Sequence, residues 1–218
     1  MDMKKMLDDI LRKLKIPFCS EADFQFTLAW KIKEELQGVG DVILEYPHPN
    51  KKEYYDILVI GDQGIKHLIE LKYRTKSETI SRHGCLGISL KNQGAHPLGR
   101  YHFMKDVQRL ENQTIANGCS FCLMLTNDPL YYNDDNNCAG VIDIEFRFYK
   151  KMKRGSHKWK NSNNPYWKKK NLGPVELMHE YDVEWKGYVD HFKYLLLEIP
   201  PNNSRDTINP VATGFQKG

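Results

Sequence analysis

No stretch of this 218-residue chain is apolar over the length needed to cross a bilayer, and its first residues lack the uninterrupted apolar core of a secretory leader. Met3, Met6, Leu7, Ile10, Leu11 and Leu14 instead recur among Lys and Asp at helical spacing, which predicts an amphipathic helix and a cytoplasmic address. Cysteine is scarce and odd in number: five residues in apolar or scattered contexts argue against a disulfide framework and for reduced thiols. Cys119 and Cys122 have CxxC spacing, but they lie in an apolar run that reads as a strand, where the two thiols point to opposite faces. No second pair of matching spacing follows, so both read as core cysteines rather than zinc ligands. Acidic residues are missing altogether from positions 150–170, where nine of the chain's 32 Lys and Arg are concentrated.

Those nine charges decide the electrostatic character of the chain, because without them the formal net charge of +4 becomes −5. Trp159, Tyr166 and Trp167 are interleaved with them, around a loop-like Asn-Ser-Asn-Asn-Pro core at 161–165. A positive segment with aromatic faces attracts a phosphate backbone and stacks on unpaired bases, which makes Lys150, Lys151, Lys153, Arg154, Lys158, Trp159, Lys168 and Lys169 candidate nucleic-acid contacts. The alternative is a solvated insertion whose aromatics pack back on the body.

Composition is otherwise that of a globule, 40% hydrophobic and 28% charged, and the length fits one domain over positions 1–200. Positions 201–218 are rich in Asn, Pro, Ser and Gly and predict a loosely ordered tail.

The densest chemistry lies at positions 54–74. Two apolar runs, Ile57-Leu58-Val59-Ile60 and Leu68-Ile69-Glu70-Leu71-Lys72-Tyr73, flank a Gly61-Asp62-Gln63-Gly64 turn and read as a hairpin. Glu70 and Lys72 then project from one face while Ile69, Leu71 and Tyr73 project from the other. Across a turn centred near Gln63, Asp56 falls almost directly opposite Glu70. Two carboxylates held that close repel unless a cation lies between them, and hard oxygen ligands suit a magnesium ion. Such an ion lowers the pKa of a bound water, and Lys72 can orient that water and stabilise charge growing on phosphorus.

Asp56 followed by Glu70-Leu71-Lys72 on a strand hairpin resembles the PD-(D/E)XK nuclease superfamily. The resemblance implies a restriction-endonuclease-like α/β fold whose αβββαβ core has a central mixed sheet flanked by helices, here with C-terminal additions. It implies Asp56 and Glu70 as ligands of Mg or Mn, the Leu71 carbonyl as a further ligand and Lys72 as the residue serving the attacking water. Tyr55 stands where the literal motif has proline. DNA is the implied partner, and a homodimer is an option because double-strand cutters commonly dimerise.

Upstream, Ser20-Glu21-Ala22-Asp23 is an N-cap signature for a helix running to Leu36, with Phe24, Leu28, Ala29 and Ile32 as its apolar stripe. The superfamily often places a Glu on this helix beside the metal, which implies Glu21 as a helper, with Gln25 one turn further on. The alternative is a first-turn Glu that only complements the helix dipole. Downstream, residues 102–116 read as a helix, and Cys119 to Thr126 as a strand buried on both faces. Lys105, Asp106 and Arg109 fall within a helical turn of one another, as a structural network or as contacts to phosphate or the active site. Lys91 and Gln93 are weaker candidates for substrate contacts. Positions 90–128 also resemble a group of uncharacterised bacterial proteins with this nuclease-like fold.

Ile142 to Phe148 alternates apolar with charged, predicting a half-exposed strand with Asp143 and Glu145 facing solvent and the closing Phe192–Ile199 run beside it. The resulting expectation is a magnesium-dependent nuclease. The competing expectation keeps the fold without the reaction, as a nucleic-acid-binding or partner-binding module.

Overall fold

A computed structural model of the chain describes residues 2–82, 87–133, 140–160 and 172–201. Two helices open it, α1 (Met3–Leu14) and α2 (Glu21–Glu35), followed by strands β1 (Asp41–Pro47), β2 (Tyr54–Ile60) and β3 (Lys66–Arg74). A short hairpin of β4 (Glu78–Ile80) and β5 (Ile88–Leu90) leads to α3 (His96–Glu111) and β6 (Ser120–Thr126). The remainder is short strands, β7 (Lys151–Met152), β8 (Gly155–His157), β9 (Val175–Leu177), β10 (Tyr181–Asp182) and β11 (Trp185–Gly187), and then the longer β12 (Lys193–Ile199). The architecture is α/β, with a mixed six-stranded sheet in the order β1-β2-β3-β6-β12-β11. Only the central β3–β6 pair of that sheet is parallel.

Local sequence accounts for the first elements. Asp2 caps α1 by accepting from the Lys5 amide at 2.9 Å. Ser20 caps α2 by accepting from the Asp23 amide at 3.1 Å, while Asp23 returns a carboxylate to the Cys19 amide at 3.0 Å, a reciprocal capping box. Alternation along the strands then splits the apolar residues between two layers. Ile57, Val59, Ile69, Leu71 and Tyr73 pack with Leu7, Phe24, Leu28 and Ile32 of the first two helices. Leu58, Leu68, Cys122 and Met124 face Phe103, Met104, Val107 and Leu110 of α3. Each fully buried aliphatic or aromatic side chain contributes about 1.5–3 kcal/mol, which fixes both layers against the sheet. β6 is buried along its whole length, as its apolar run predicts, and Cys122 lies in the α3 layer.

Three expectations are corrected. The third helix spans His96–Glu111 rather than 102–116: Pro97 occupies its first turn, where a missing amide costs nothing, and Gly99 admits the Tyr131 ring, whose hydroxyl would lie 2.1 Å from an added Cβ. Ile142 to Phe148 is not a strand. It holds a 3-10 turn (Ile144–Phe146), and Asp143 is 1% exposed, paired with Arg100 at 2.5 Å and with Arg147 at 3.5 Å. Glu145 is exposed, as expected. The closing strand β12 therefore lies between β6 and β11, not beside residues 142–148.

The C-terminal additions are tied to α3 by Glu111, which accepts from the Met178 and His179 amides at 2.9 and 3.0 Å and from the Tyr181 hydroxyl at 2.8 Å. No helix among the described residues is long and apolar enough to cross a membrane.

Truncating Asp143 leaves the Arg100 guanidinium buried without its carboxylate, so Asp143→Ala is expected to lower stability by about 3–5 kcal/mol. Urea unfolding with an unchanged m-value reads this directly; an unmoved midpoint would show that the pair carries no weight.

Candidate active site

β2 and β3 pair from Ile60↔Lys66 to Ile57↔Ile69, and one further step of that register sets Asp56 opposite Glu70. The ladder stops there. The Leu71 amide donates to the Asp56 carboxylate at 2.6 Å, and two residues on the Tyr73 amide donates to Glu21 at 2.7 Å. Beyond the end of β2, the exposed edge of β3 is thus satisfied by two acid side chains instead of by a strand. Gln25 fastens the arrangement from α2, its amide donating to the Asp56 carbonyl at 2.8 Å and to Glu45 at 2.7 Å.

Glu45 occupies the left-handed region at φ 49°, and the β1–β2 pairing skips it between Leu44↔Ile57 and Tyr46↔Tyr55. Side-chain alternation breaks at the same point: Tyr55 and Leu58 share the α3 layer although they are three residues apart. Asp56 therefore sits where regular pairing fails on both sides, a local distortion of the kind that collects at functional sites.

Glu70 and Lys72 project toward α3, and that helix answers each with an opposite charge. Lys72 lies 2.7 Å from Asp106, and Arg109 lies 2.5 Å from Glu70 and 3.2 Å from Asp106. The Arg109 guanidinium also stands 5.5 Å over the Tyr55 ring, so the residue in the place of the motif's proline serves as a platform for it. Lys72 makes a second contact, to the Leu71 carbonyl at 3.1 Å.

Asp56, Glu70, Asp106 and Glu21 against Lys72 and Arg109 leave a formal excess of two negative charges in a site where Glu70 is 2% exposed. The chemistry follows from that imbalance. Burial pushes the Asp56 carboxyl up to about 6, with Asp106 and Glu21 adding to the shift and the Leu71 amide and Lys72 opposing it. Burial, then Asp106 and Asp56, also carry the Glu70 carboxyl well above its usual range, which Arg109 and Lys72 reduce without cancelling. For Lys72, burial favours the neutral amine, but Asp106, Glu21 and Asp56 together outweigh it and hold the ammonium charged.

Of the expected site residues, Asp56, Glu70, Leu71, Lys72 and Glu21 are brought together. Lys91 and Gln93 are not part of this group; both are exposed and meet Thr75 through their backbones. Asp106 and Arg109 were legible in the sequence as a charged cluster on a helix, but nothing in it showed that this helix lies across β3. Glu45 carried no signal at all, because its role rests on backbone conformation. Lys105 does not join the pairs of Asp106 and Arg109; its ammonium donates to Gln108 and to the Pro174 carbonyl.

The basic segment requires a correction. Trp159 is 3% exposed, with ring centroids 4.6 Å from Phe146 and 5.4 Å from Tyr101, so it is a core residue and offers no face to a base. Lys150, Lys151, Lys153, Arg154 and Lys158 are exposed, with Lys151 paired to Glu180 at 2.6 Å. Lys168 and Lys169, with Tyr166 and Trp167, lie outside the described residues, as do Cys85 and Cys138.

Whether the cluster suits a divalent cation turns on its oxygen atoms. Among the described residues no three His, Cys, Asp or Glu side chains group closely enough to form an all-side-chain metal centre. Magnesium does not need one, since it binds through one or two carboxylates and keeps several waters. Glu70 Oε1 is buried without a hydrogen bond, and the two-charge excess equals the charge of such an ion. The donor set therefore fits, on the condition that Arg109 releases Glu70 and Lys72 releases the Leu71 carbonyl. No family model, no curated protein and no solved structure matches this chain.

Because the folded state keeps Asp56 protonated to a higher pH than an unfolded chain does, the native form binds more protons between about pH 4 and 6, and stability falls as pH rises through that window. Asp56→Asn removes the titration while keeping an acceptor for Leu71. In metal-free buffer the variant is expected to match wild type near pH 4 and to exceed it by up to about 3 kcal/mol at pH 7. Urea midpoints of both proteins across pH 4–8 measure this, and parallel curves would contradict it.

Proposed function

We propose that the protein is a metal-dependent nuclease that hydrolyses phosphodiester bonds of DNA. The observation that carries this reading is Glu70: a buried carboxylate with an oxygen that accepts no hydrogen bond, opposite Asp56 in register and two residues from a buried, charged Lys72. Support at the level of the fold comes from the succession α2, β1, β2, β3, α3, β6 with β3 and β6 parallel, which is the order expected of the restriction-endonuclease-like core.

Asp56 and Glu70 would hold magnesium or manganese, with the Leu71 carbonyl as a further oxygen. Bound there, the ion supplies neutralising charge and a water of lowered pKa. Lys72, held charged by Asp106, is the cation placed to orient a nucleophile and to stabilise negative charge on phosphorus. Glu21 and Gln25 act through position: one anchors β3 at Tyr73, and the other holds the Asp56 backbone.

A second reading has an observation of its own. Arg109 already neutralises Glu70, and Asp106 already neutralises Lys72, so the chain balances much of its buried charge internally. A nucleic-acid-binding or partner-binding module on this scaffold would keep those pairs intact.

Digestion of plasmid and single-stranded DNA with magnesium or manganese separates the two. The nuclease reading expects cleavage that falls by at least about 100-fold in Asp56→Asn and Lys72→Ala, the scale on which loss of a positioned catalytic group is felt. Salt-sensitive retention of DNA with no cleavage, identical in wild type and variants, would establish the binding module instead.

A further inference from the structure

A cavity of about 800 Å³ opens between the β1–β2 connection and the outer side of α3, and Asp106 and Arg109 lie in its wall. Its rim is basic: His48 and Lys51 come from the connection, His102 and Lys105 from the helix. The acid cluster lies directly behind this wall, because Asp106 and Arg109 also hold Lys72 and Glu70. The route from solvent to the carboxylates therefore leads past the lysines.

Lys51 and Lys105 approach the same space without a short carboxylate partner. The contact of Lys51 with Glu53 is 3.9 Å and exposed, and Glu53 stands equally far, at 3.9 Å, from Arg109. Lys105 has only neutral oxygens, at 2.9 Å from Gln108 and 3.4 Å from Pro174. Its ammonium titrates below its usual range, first because it is partly buried and then because Lys51 repels it, against weaker attraction from Glu176 and Glu53. Cations that converge on a concavity and repel one another are relieved by an anion placed between them.

We propose that this cavity is the seat of an unpaired nucleic-acid strand, with Lys51 and Lys105 gripping the phosphate next to the one presented to Asp56 and Glu70. This rests on the reading of the acid cluster as a phosphodiesterase site and names the form of its substrate. A single strand is favoured over a duplex because the cavity has the volume of a small-ligand pocket and the carboxylates lie beneath it, not on an open surface. Arg109 is the positioning residue that links the two: a phosphate in the cavity offers its guanidinium a second anion and so draws it away from Glu70. His48, stacked on Tyr55 at 5.6 Å, lines the same wall beneath any base that enters.

The test is fluorescence anisotropy of a labelled 12-nucleotide oligodeoxythymidine against the full chain in EDTA, where no cleavage interferes. Three proteins are compared: wild type, K51A/K105A, and K13A/K31A, which removes two lysines from the opposite layer of the molecule. The proposal expects K51A/K105A to bind about 10-fold more weakly, with a salt slope shallower by about 1.4 for two phosphate contacts on a single strand. It expects K13A/K31A to stay within twofold of wild type, and circular dichroism to confirm that all three are folded. Equal binding by all three proteins, equal losses in both double variants, no binding by wild type, or equally tight binding of a duplex would each overturn it. Magnesium-dependent cleavage measured alongside keeps the two proposals apart: lysine-dependent binding without cleavage sinks the nuclease reading alone, and cleavage with an unchanged KM in K51A/K105A sinks the cavity alone.

Discussion

The two crossed ion pairs between β3 and α3 are the constraint on which the centre of this molecule depends. Glu70 and Lys72 enter the layer beneath the helix as charges, and a charge there is tolerated only with a partner at hydrogen-bonding range. Arg109 and Asp106 supply those partners, and their reach fixes where α3 lies along the strand. Apolar residues of the same volume would hold helix and sheet together at least as well, since desolvation offsets most of the attraction within a buried pair. The charges are therefore not accounted for by stability. What they maintain is a dry pocket of surplus negative charge with a lysine held protonated inside it, a state that a divalent cation would relieve.

The same region is where regular backbone pairing gives way. Asp56 interrupts the ladder with β3, Glu45 turns left-handed opposite it in β1, and Gln25 bridges both from α2. Side-chain carboxylates take over the amides of Leu71 and Tyr73, so Asp56 and Glu21 have a structural duty beside any chemical one. Both roles draw on one geometry. A carboxylate anchored through one oxygen to a strand amide has little freedom left, and it presents its other oxygen in a defined direction, as preorganised chemistry requires.

Electrostatics on the surface are divided in an unexpected way. The composition of positions 150–170 draws attention to a basic arm with aromatics, yet Trp159 is consumed by the core under α3. Fewer and more scattered cations, Lys51 and Lys105, surround the cavity that leads to the acids. Charge counted along the chain measures attraction at long range; position around a concavity determines what is held there.

Much of the framework was legible locally. The Ser20 cap, the β2–β3 hairpin with its register, the doubly buried β6 and the two-faced distribution of Glu70 and Lys72 all follow from periodicity and turn chemistry, which act within a few residues. Asp143 and Trp159 were misjudged because alternation and composition do not say which neighbours arrive from elsewhere: Arg100, forty-three residues before Asp143, makes it a buried ion, and Tyr101 and Phe146 enclose the indole. By itself the sequence determined that Asp56, Glu70 and Lys72 share one neighbourhood, since a hairpin's register is set by its own turn. Only the tertiary structure decided that α3 crosses over them with Arg109 and Asp106, because helix-to-sheet docking is settled by packing and charge between segments far apart in the chain.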